Sequence, residues 1–272
     1  MEDREKVREI VRQLNIIDDT FFQKMAEDIG FCEEMISTIL GQKVKVKRVV
    51  PQNSIKNLQG RSVVLDALCT LENGEDCNVE VQKADDDNHV RRVRYNTSCV
   101  TANITEPGTK FEKVPDVIGI YISKFDMFKS GKTVYHIDRV IRETGEVQDN
   151  GLQEIYVNTK INDGSDIAEL MRIFKETDAY DFKKFPKVSG RKRQFKESEG
   201  GNETMCDLVE SYANERAAKV AAEAEKKAVA EAKASALRLF QNGASYELVR
   251  ASITSLSDEE LQAIYRNAMK GE

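Results

Sequence analysis

Two carboxylates and an amide stand where this chain can do metal chemistry: Asp66 in the run Ser62 to Leu71, and Glu80 and Gln82 in the run Asp76 to Lys83. Both runs have the composition of strands, and Glu72-Asn73-Gly74 between them is hairpin chemistry. Whether the carboxylates meet depends on register, because side chains on a strand alternate between faces. A two-residue turn at Asn73-Gly74 leaves Asp66 and Glu80 on opposite faces. A three-residue loop with Gly74 left-handed pairs Leu71 with Glu75 and sets Asp66 directly opposite Glu80. The same register gathers Val63, Leu65, Ala67, Cys69 and Leu71 with Cys77, Val79 and Val81 on one face, so hydrophobic sorting selects it. The 66/80 pair then falls at a non-hydrogen-bonded site, where opposed Cα atoms lie about 4.5 Å apart. Like charges that close destabilise a sheet unless a proton or a cation sits between them. A hard divalent cation takes one or two carboxylates together with waters and phosphate oxygens, which is the chemistry of phosphodiester hydrolysis. The competing reading is a solvent-facing polar strand face, and spacing alone leaves both open.

The elements that must position this pair are legible in outline. Apolar residues at helical spacing over 20–40 predict a helix or a helix pair broken at Gly30, and alternating Lys and Val over 43–50 predict a first strand. Asp85-Asp86-Asp87-Asn88 can cap a helix whose stripe is Val90, Val93, Thr97, Val100 and Ile104. After Pro115 the apolar run Val117 to Ile122 reads as a strand covered on both faces, with further strands at 133–141 and 152–158. The expectation is a three-layer α/β domain with a mixed sheet. From Glu203 to Phe240 there is no Gly or Pro, which predicts one long helix starting at Gly200-Gly201 and stopping at Gly243. Two short helices follow at 245–253 and 258–270, the second opened by a Ser257/Glu260 capping box. The predicted division is therefore a domain over 1–198 and an all-helical tail over 199–272. The tail holds no clean heptad over three repeats; it reads as a single solvated or packed helix, with self-association as a further role.

Composition bounds the class. The 272 residues carry 41 basic and 47 acidic side chains, a formal charge of −6, with 40% apolar and 32% charged residues, which suits a large core with an appendage. Apolar stretches fall far short of the ~20 residues of a membrane span, and the opening MEDREKVREIVRQL reads as a charged helix rather than a signal peptide. The expectation is a cytoplasmic protein without a membrane segment. Five cysteines without CxxC spacing suggest reduced thiols, and two separated histidines exclude HExxH chemistry. Mild acidity argues against a protein that coats nucleic acid indiscriminately, while leaving room for a local basic groove.

Gly60 to Ala67, ENGEDCNVEVQ ending at Gln82, Arg91 to Tyr95, VPDVIGIYISKFDMF, YHIDRVIRE and EIYVN occur in that order, after an entry NIIDDTFFQKMAED. Over roughly 15–180 the chain resembles the recombination-promoting nucleases, a transposase-like group of the PD-(D/E)XK superfamily. The resemblance implies a restriction-endonuclease-like core of helix, three-strand sheet with hairpin, helix and strand. It implies a DNA endonuclease that uses Mg²⁺, with Mn²⁺ as a substitute and no nucleotide cofactor, linked to recombination or mobile elements. Carried over by position, Asp66, Glu80 and Gln82 are catalytic, and Asp66, Glu80 and the main-chain carbonyl of Val81 are the metal ligands. Gln82 stands where most of the superfamily has Lys; an amide can orient water but lends no positive charge. One departure is Thr101, at a position after the RxRYxxS run that is often Asp in the family. The competing function is a nuclease-fold module that binds DNA or protein without cutting.

Supporting residues carry two readings each. Asp19 and Glu34 offer accessory contacts to metal or water, or serve as helix caps and solvated faces. Arg91, Arg92, Arg94 and Tyr95 follow the third strand and contact the scissile phosphate or the flanking DNA backbone, or form a charged outer face over the Val stripe; Arg91 and Arg94, three apart, share a face. Lys183, Lys184, Lys187, Arg191, Lys192 and Arg193 form either a phosphate-backbone track or a linker to the tail. His89 and His136 are expected to be structural, and Cys69 and Cys77 to be small core residues.

Overall fold

The computed structural model describes residues 2–57 and 60–269. Three helices open the chain, α1 (Glu2–Gln13), α2 (Asp19–Ala26) and α3 (Ile29–Leu40), before strands β1 (Val46–Ile55), β2 (Val63–Leu71) and β3 (Asp76–Gln82). Helix α4 (His89–Ile104) then crosses to β4 (Val117–Ser123), followed by β5 (Val134–Ile137), β6 (Leu152–Asn158), α5 (Asp166–Lys175) and α6 (Pro186–Glu197). The long α7 (Glu199–Gln241) and the short α8 (Tyr246–Ser252) and α9 (Asp258–Ala268) complete the order. The sheet is six-stranded and mixed, ordered β1-β2-β3-β4-β6-β5. β3, β4 and β6 run parallel and the other pairs antiparallel.

The layers follow from where each strand sends its apolar residues. Ala67, Cys69, Cys77, Val79, Ile120 and Val157 meet Phe21, Phe22, Phe31, Ile36, Phe174 and Val188, so α2, α3, α5 and α6 cover one face. The other face receives α4, whose Val100 packs with Leu65, Leu68 and Val117, and whose Val93 packs with Tyr121 and Tyr156. Gly119 on β4 permits that approach, because a Cβ there would stand 2.8 Å from Thr97 Cγ2. Every residue of β4 is buried, as a strand between two helical layers must be.

Several boundaries differ from the pattern reading. The helix break falls at Glu27-Asp28, not at Gly30, because Asp28 accepts the Phe31 N–H at 2.7 Å and caps α3. On α4, Val90 is exposed; the helix buries His89 and Asn96 beside Val93, Thr97 and Val100. The segment read as either a phosphate-backbone track or a linker contains α6, opened by Pro186 at its first turn and anchored by Val188 and Phe195.

By compactness the chain forms two units, Met1–Val209 and Glu210–Glu272. The first turns of α7 lie in the first unit's core, where Met205 and Cys206 are buried and Leu208 and Val209 pack beside them. In the second unit Ala236, Phe240, Val249, Leu256 and Leu261 form a separate small core, and Ser257 and Glu260 make the capping box. The first turns of α7, beyond the expected boundary of 198, thus pack with the first unit. A chain ending at Val209 is expected to unfold cooperatively by circular dichroism. One ending at Ser198 is expected to melt at clearly lower temperature, since emptying a single Met-sized core position costs about 2–5 kcal/mol. Among the described residues no helix is long and apolar enough to cross a membrane.

Candidate active site

The site is a fork between two strands. The β2–β3 ladder runs from Thr70/Asp76 to Ala67/Val79 in the register of the three-residue loop, with Gly74 at φ +93 and Leu71 N–H donating to the Glu75 carbonyl at 2.8 Å. There the ladder ends. β3 continues alongside β4 to Gln82/Ser123, while one residue past the last pair the Asp66 side chain takes over, its Oδ2 accepting the Val81 N–H at 2.9 Å. On the far side of β2 the pairing skips Gln52, which has φ +49, between Pro51/Ala67 and Asn53/Leu65. This kink changes the expected sorting: Ala67, Cys69 and Leu71 stay in the main core, whereas Val63 and Leu65 join the cluster under α4.

Glu80 lies under α4 at 1% exposure. Its Oε1 accepts from Asn78 Nδ2 at 3.0 Å and from Asn96 Nδ2 at 3.2 Å. Its Oε2 is buried with no hydrogen-bond partner, and Arg92 Nη2 stands 3.7 Å away. Arg92 Nη1 donates to Gln82 Oε1 at 3.1 Å, and Gln82 Nε2 donates to the Ala84 carbonyl at 2.8 Å. The Gln82 amide is thus committed at both ends and holds the guanidinium over the fork. A cavity of about 400 Å³ opens here, lined by Asp19, Asp66, Val81, Gln82, Asp86, Asp87 and Arg92.

Asp19 reaches the cavity because the start of α2 is tied to the end of β3. Lys83 forms an ion pair with Asp18, whose other oxygen accepts the Asn15 N–H at 2.8 Å. Lys83 therefore points away from Gln82, as alternation requires, and anchors the helix that carries Asp19.

All three carboxyls are strained electrostatically. Burial pushes Asp66 well above the usual carboxylate range and repulsion from Glu80 adds to it, against the Val81 N–H. Burial likewise raises Glu80, opposed by Asn78, Arg92 and Asn96. Asp19 is raised by burial, with Arg92 opposing and Asp18 reinforcing. Arg92 is the one cation among the lining side chains, so the cavity is short of positive charge. Among the described residues no group of three or more His, Cys, Asp or Glu side chains is arranged to hold a metal ion. The orphaned Glu80 Oε2 and the neighbouring Asp66 nonetheless suit a hard cation that needs only one or two carboxylates and keeps its remaining places for water and phosphate.

Of the expected residues, Asp66, Val81, Gln82 and Asp19 line one cavity, with Glu80 buried beside them. Glu34 does not join them; it accepts the Lys187 and Val188 N–H groups and so caps α6. Arg91 is exposed in an adjoining groove, and Arg94 is exposed and lines neither space. The basic track is corrected most. Lys192 is fully buried and donates to the carbonyls of Ile173, Glu176 and Ala179, so it cannot contact a phosphate backbone, and the half-buried Arg191 is turned inward to donate to the carbonyls of Lys24 and Met25. Lys184 is paired with Asp166 at 2.9 Å and Glu169 at 2.5 Å, while Lys183, Lys187 and Arg193 are exposed. Arg92, expected as a contact to the phosphate or the flanking backbone, enters the cavity itself, together with Asp86 and Asp87, which were expected only as helix caps. The available signal was that Arg92 and Asn96 stand four apart and so share the helix face that meets Glu80.

A family model described as PD-(D/E)XK nuclease family transposase matches residues 29–178, more than half of the chain, from the start of α3 to just past α5. No curated protein and no solved structure gives a match. The matched span contains the whole β2–β3 fork and the α4 face that closes it, and the chain belongs to the PD-(D/E)XK nuclease family transposases.

Proposed function

We propose that this protein is a metal-dependent DNA endonuclease that hydrolyses phosphodiester bonds at the β2–β3 fork. The observation that carries the reading is the pair of mutually repelling carboxylates, half-buried Asp66 and buried Glu80, beside a cavity whose single lining cation is Arg92. Asp66 and Glu80, with the Val81 carbonyl, are the groups that would hold Mg²⁺, or Mn²⁺ in its place. When bound, such an ion supplies a Lewis acid for a phosphoryl oxygen and lowers the pKa of a bound water. The remaining steps belong to the chain. Arg92 binds a non-bridging phosphate oxygen and takes up the charge that grows on it, a task its forked donors suit. Gln82 keeps the guanidinium in position through its amide oxygen, and Asp19 adds an accessory carboxyl at the cavity.

The test is incubation of the full chain with supercoiled plasmid under Mg²⁺, under Mn²⁺ and with a chelator. Nicked circles are expected with either cation and none with the chelator. Intact plasmid under every condition, at high protein concentration, would leave a nuclease-fold protein that binds without cutting.

A further inference from the structure

Next to the acidic cavity lies a second groove of about 470 Å³, between the start of β2 and the first turns of α4. It shares Asp87 and Arg92 with the active-site cavity, so the two adjoin. Besides the shared Arg92, its cations are Arg61 and Arg91, both exposed and neither held in an ion pair among the described residues. Its apolar side is formed by Val63, Val64 and Tyr95. Val64 is 52% exposed although it sits on an interior strand, because β2 has parted from β3 at this level. The Tyr95 ring is fixed, its hydroxyl donating to the Arg61 carbonyl at 2.5 Å. The one acid, Asp87, accepts the neighbouring Asn88 N–H at 2.7 Å.

We propose that this groove is a subsite for one unpaired nucleotide next to the scissile phosphate, so that the preferred substrate is single-stranded DNA or a single-stranded segment at a junction. The proposal rests on the nuclease reading of the adjoining cavity and adds the form of its substrate. Its basis is the joining of two surfaces. Unpartnered guanidinium groups on the rim suit a phosphate on either side of the nucleotide. A fixed ring and an exposed valine suit the face of a base, which a duplex keeps inside its stack and a single strand offers. The volume lies within the roughly 300–1,000 Å³ of small-ligand sites, far too little for a double helix to enter. A strand bound across Arg92 would place one phosphate over the fork and the next nucleotide in the groove.

The experiment uses the full chain with Asp66→Asn, which prevents cutting, and compares a fluorescein-labelled oligothymidylate with a labelled hairpin duplex by anisotropy in Mg²⁺. Adding Val64→Glu or Arg61→Ala is expected to weaken single-strand binding by about tenfold each, the scale of one base or phosphate contact, and to leave duplex binding within about twofold. Val64→Thr, which keeps the β-branched shape, should fall between. Both side chains are exposed, and unchanged melting temperatures will show that the fold is intact. Unaltered single-strand affinity, or an equal loss for duplex, overturns the subsite. If the wild-type chain nicks plasmid while these variants bind as before, only the subsite fails. If the chain neither nicks plasmid nor binds either probe, the nuclease reading falls with it.

Discussion

Asp66→Asn and Glu80→Gln are expected to abolish metal-dependent cleavage and, without metal, to make the protein more stable. The first half follows from removing a charged ligand: an ion that contributes several kcal/mol of transition-state stabilisation leaves on the order of a thousandfold loss when it is not held. The second half follows from the electrostatics of the fork. Both carboxyls have pKa values raised by burial, and at Asp66 the charge of Glu80 raises it further. An acid whose folded pKa lies above its unfolded value contributes stability while protonated, and that contribution is lost as pH rises through the folded pKa. At neutral pH the metal-free wild type therefore carries a penalty that the amides remove. Each kcal/mol of relieved repulsion moves the melting point of a domain this size by roughly 2–4 °C, so a measurable rise is expected. The gain should shrink as pH falls through these raised pKa values toward the ordinary carboxylate range, because the wild-type pair takes up protons on the way. Mg²⁺ should raise the melting temperature of the wild type and leave both variants unmoved. The amides preserve the acceptors for Val81, Asn78 and Asn96. A fall in melting temperature at neutral pH would therefore mean that these carboxylates serve the fold.

What the sequence disclosed about this site, and what it concealed, has a physical pattern. The hairpin register was legible because Cys69, Cys77, Val79 and Leu71 leave only one way to bury an apolar face, and the ladder has that register. The release of β2 from β3 at Asp66 was not, since it depends on a side chain replacing a ladder partner and on a positive φ at Gln52, neither of which alternation encodes. α6 was hidden by its own core. Phe185, Val188 and Phe195 sit at helical spacing, but Lys192 occupies the buried position between them, where it satisfies carbonyls at the end of α5 instead of facing solvent. A basic run with a broken apolar stripe reads as a phosphate-backbone track or a linker. α4 was placed correctly as a helix, but its inner face mixes His89 and Asn96 with Val93 and Val100, because it covers a polar site as well as a core. Residues at the polar site weaken the apolar pattern of α4, and a buried structural lysine does the same in α6.

Arg92→Gln should lower the cleavage rate by roughly 10²–10³-fold, the usual loss for a preorganised donor at developing charge, with little change in metal affinity. Arg92→Lys should recover part of that loss. The reason lies in the pairing with Gln82. Most of the superfamily has Lys where this chain has Gln82, and an ammonium there would stand against the guanidinium that now donates to Gln82 Oε1 at 3.1 Å. The two positions are alternative sources of one positive charge, and the amide is the partner that lets an arginine from α4 provide it. Gln82→Lys alone is therefore expected to lower both activity and melting temperature, because like charges at hydrogen-bonding distance repel. In an Arg92→Gln background the same Gln82→Lys change should instead raise the rate by about tenfold or more, as the strand-borne cation takes the vacated place. Rates under single-turnover conditions, with metal affinity from calorimetry for all four proteins, separate a charge supplied to the phosphate from a ligand set disturbed by repacking. A double variant no faster than Arg92→Gln, with metal affinity intact, would show that Arg92 does more than carry charge. Wild-type rates in Arg92→Gln would remove Arg92 from the chemistry and leave Asp66 and Glu80 with no protein cation to share the phosphate.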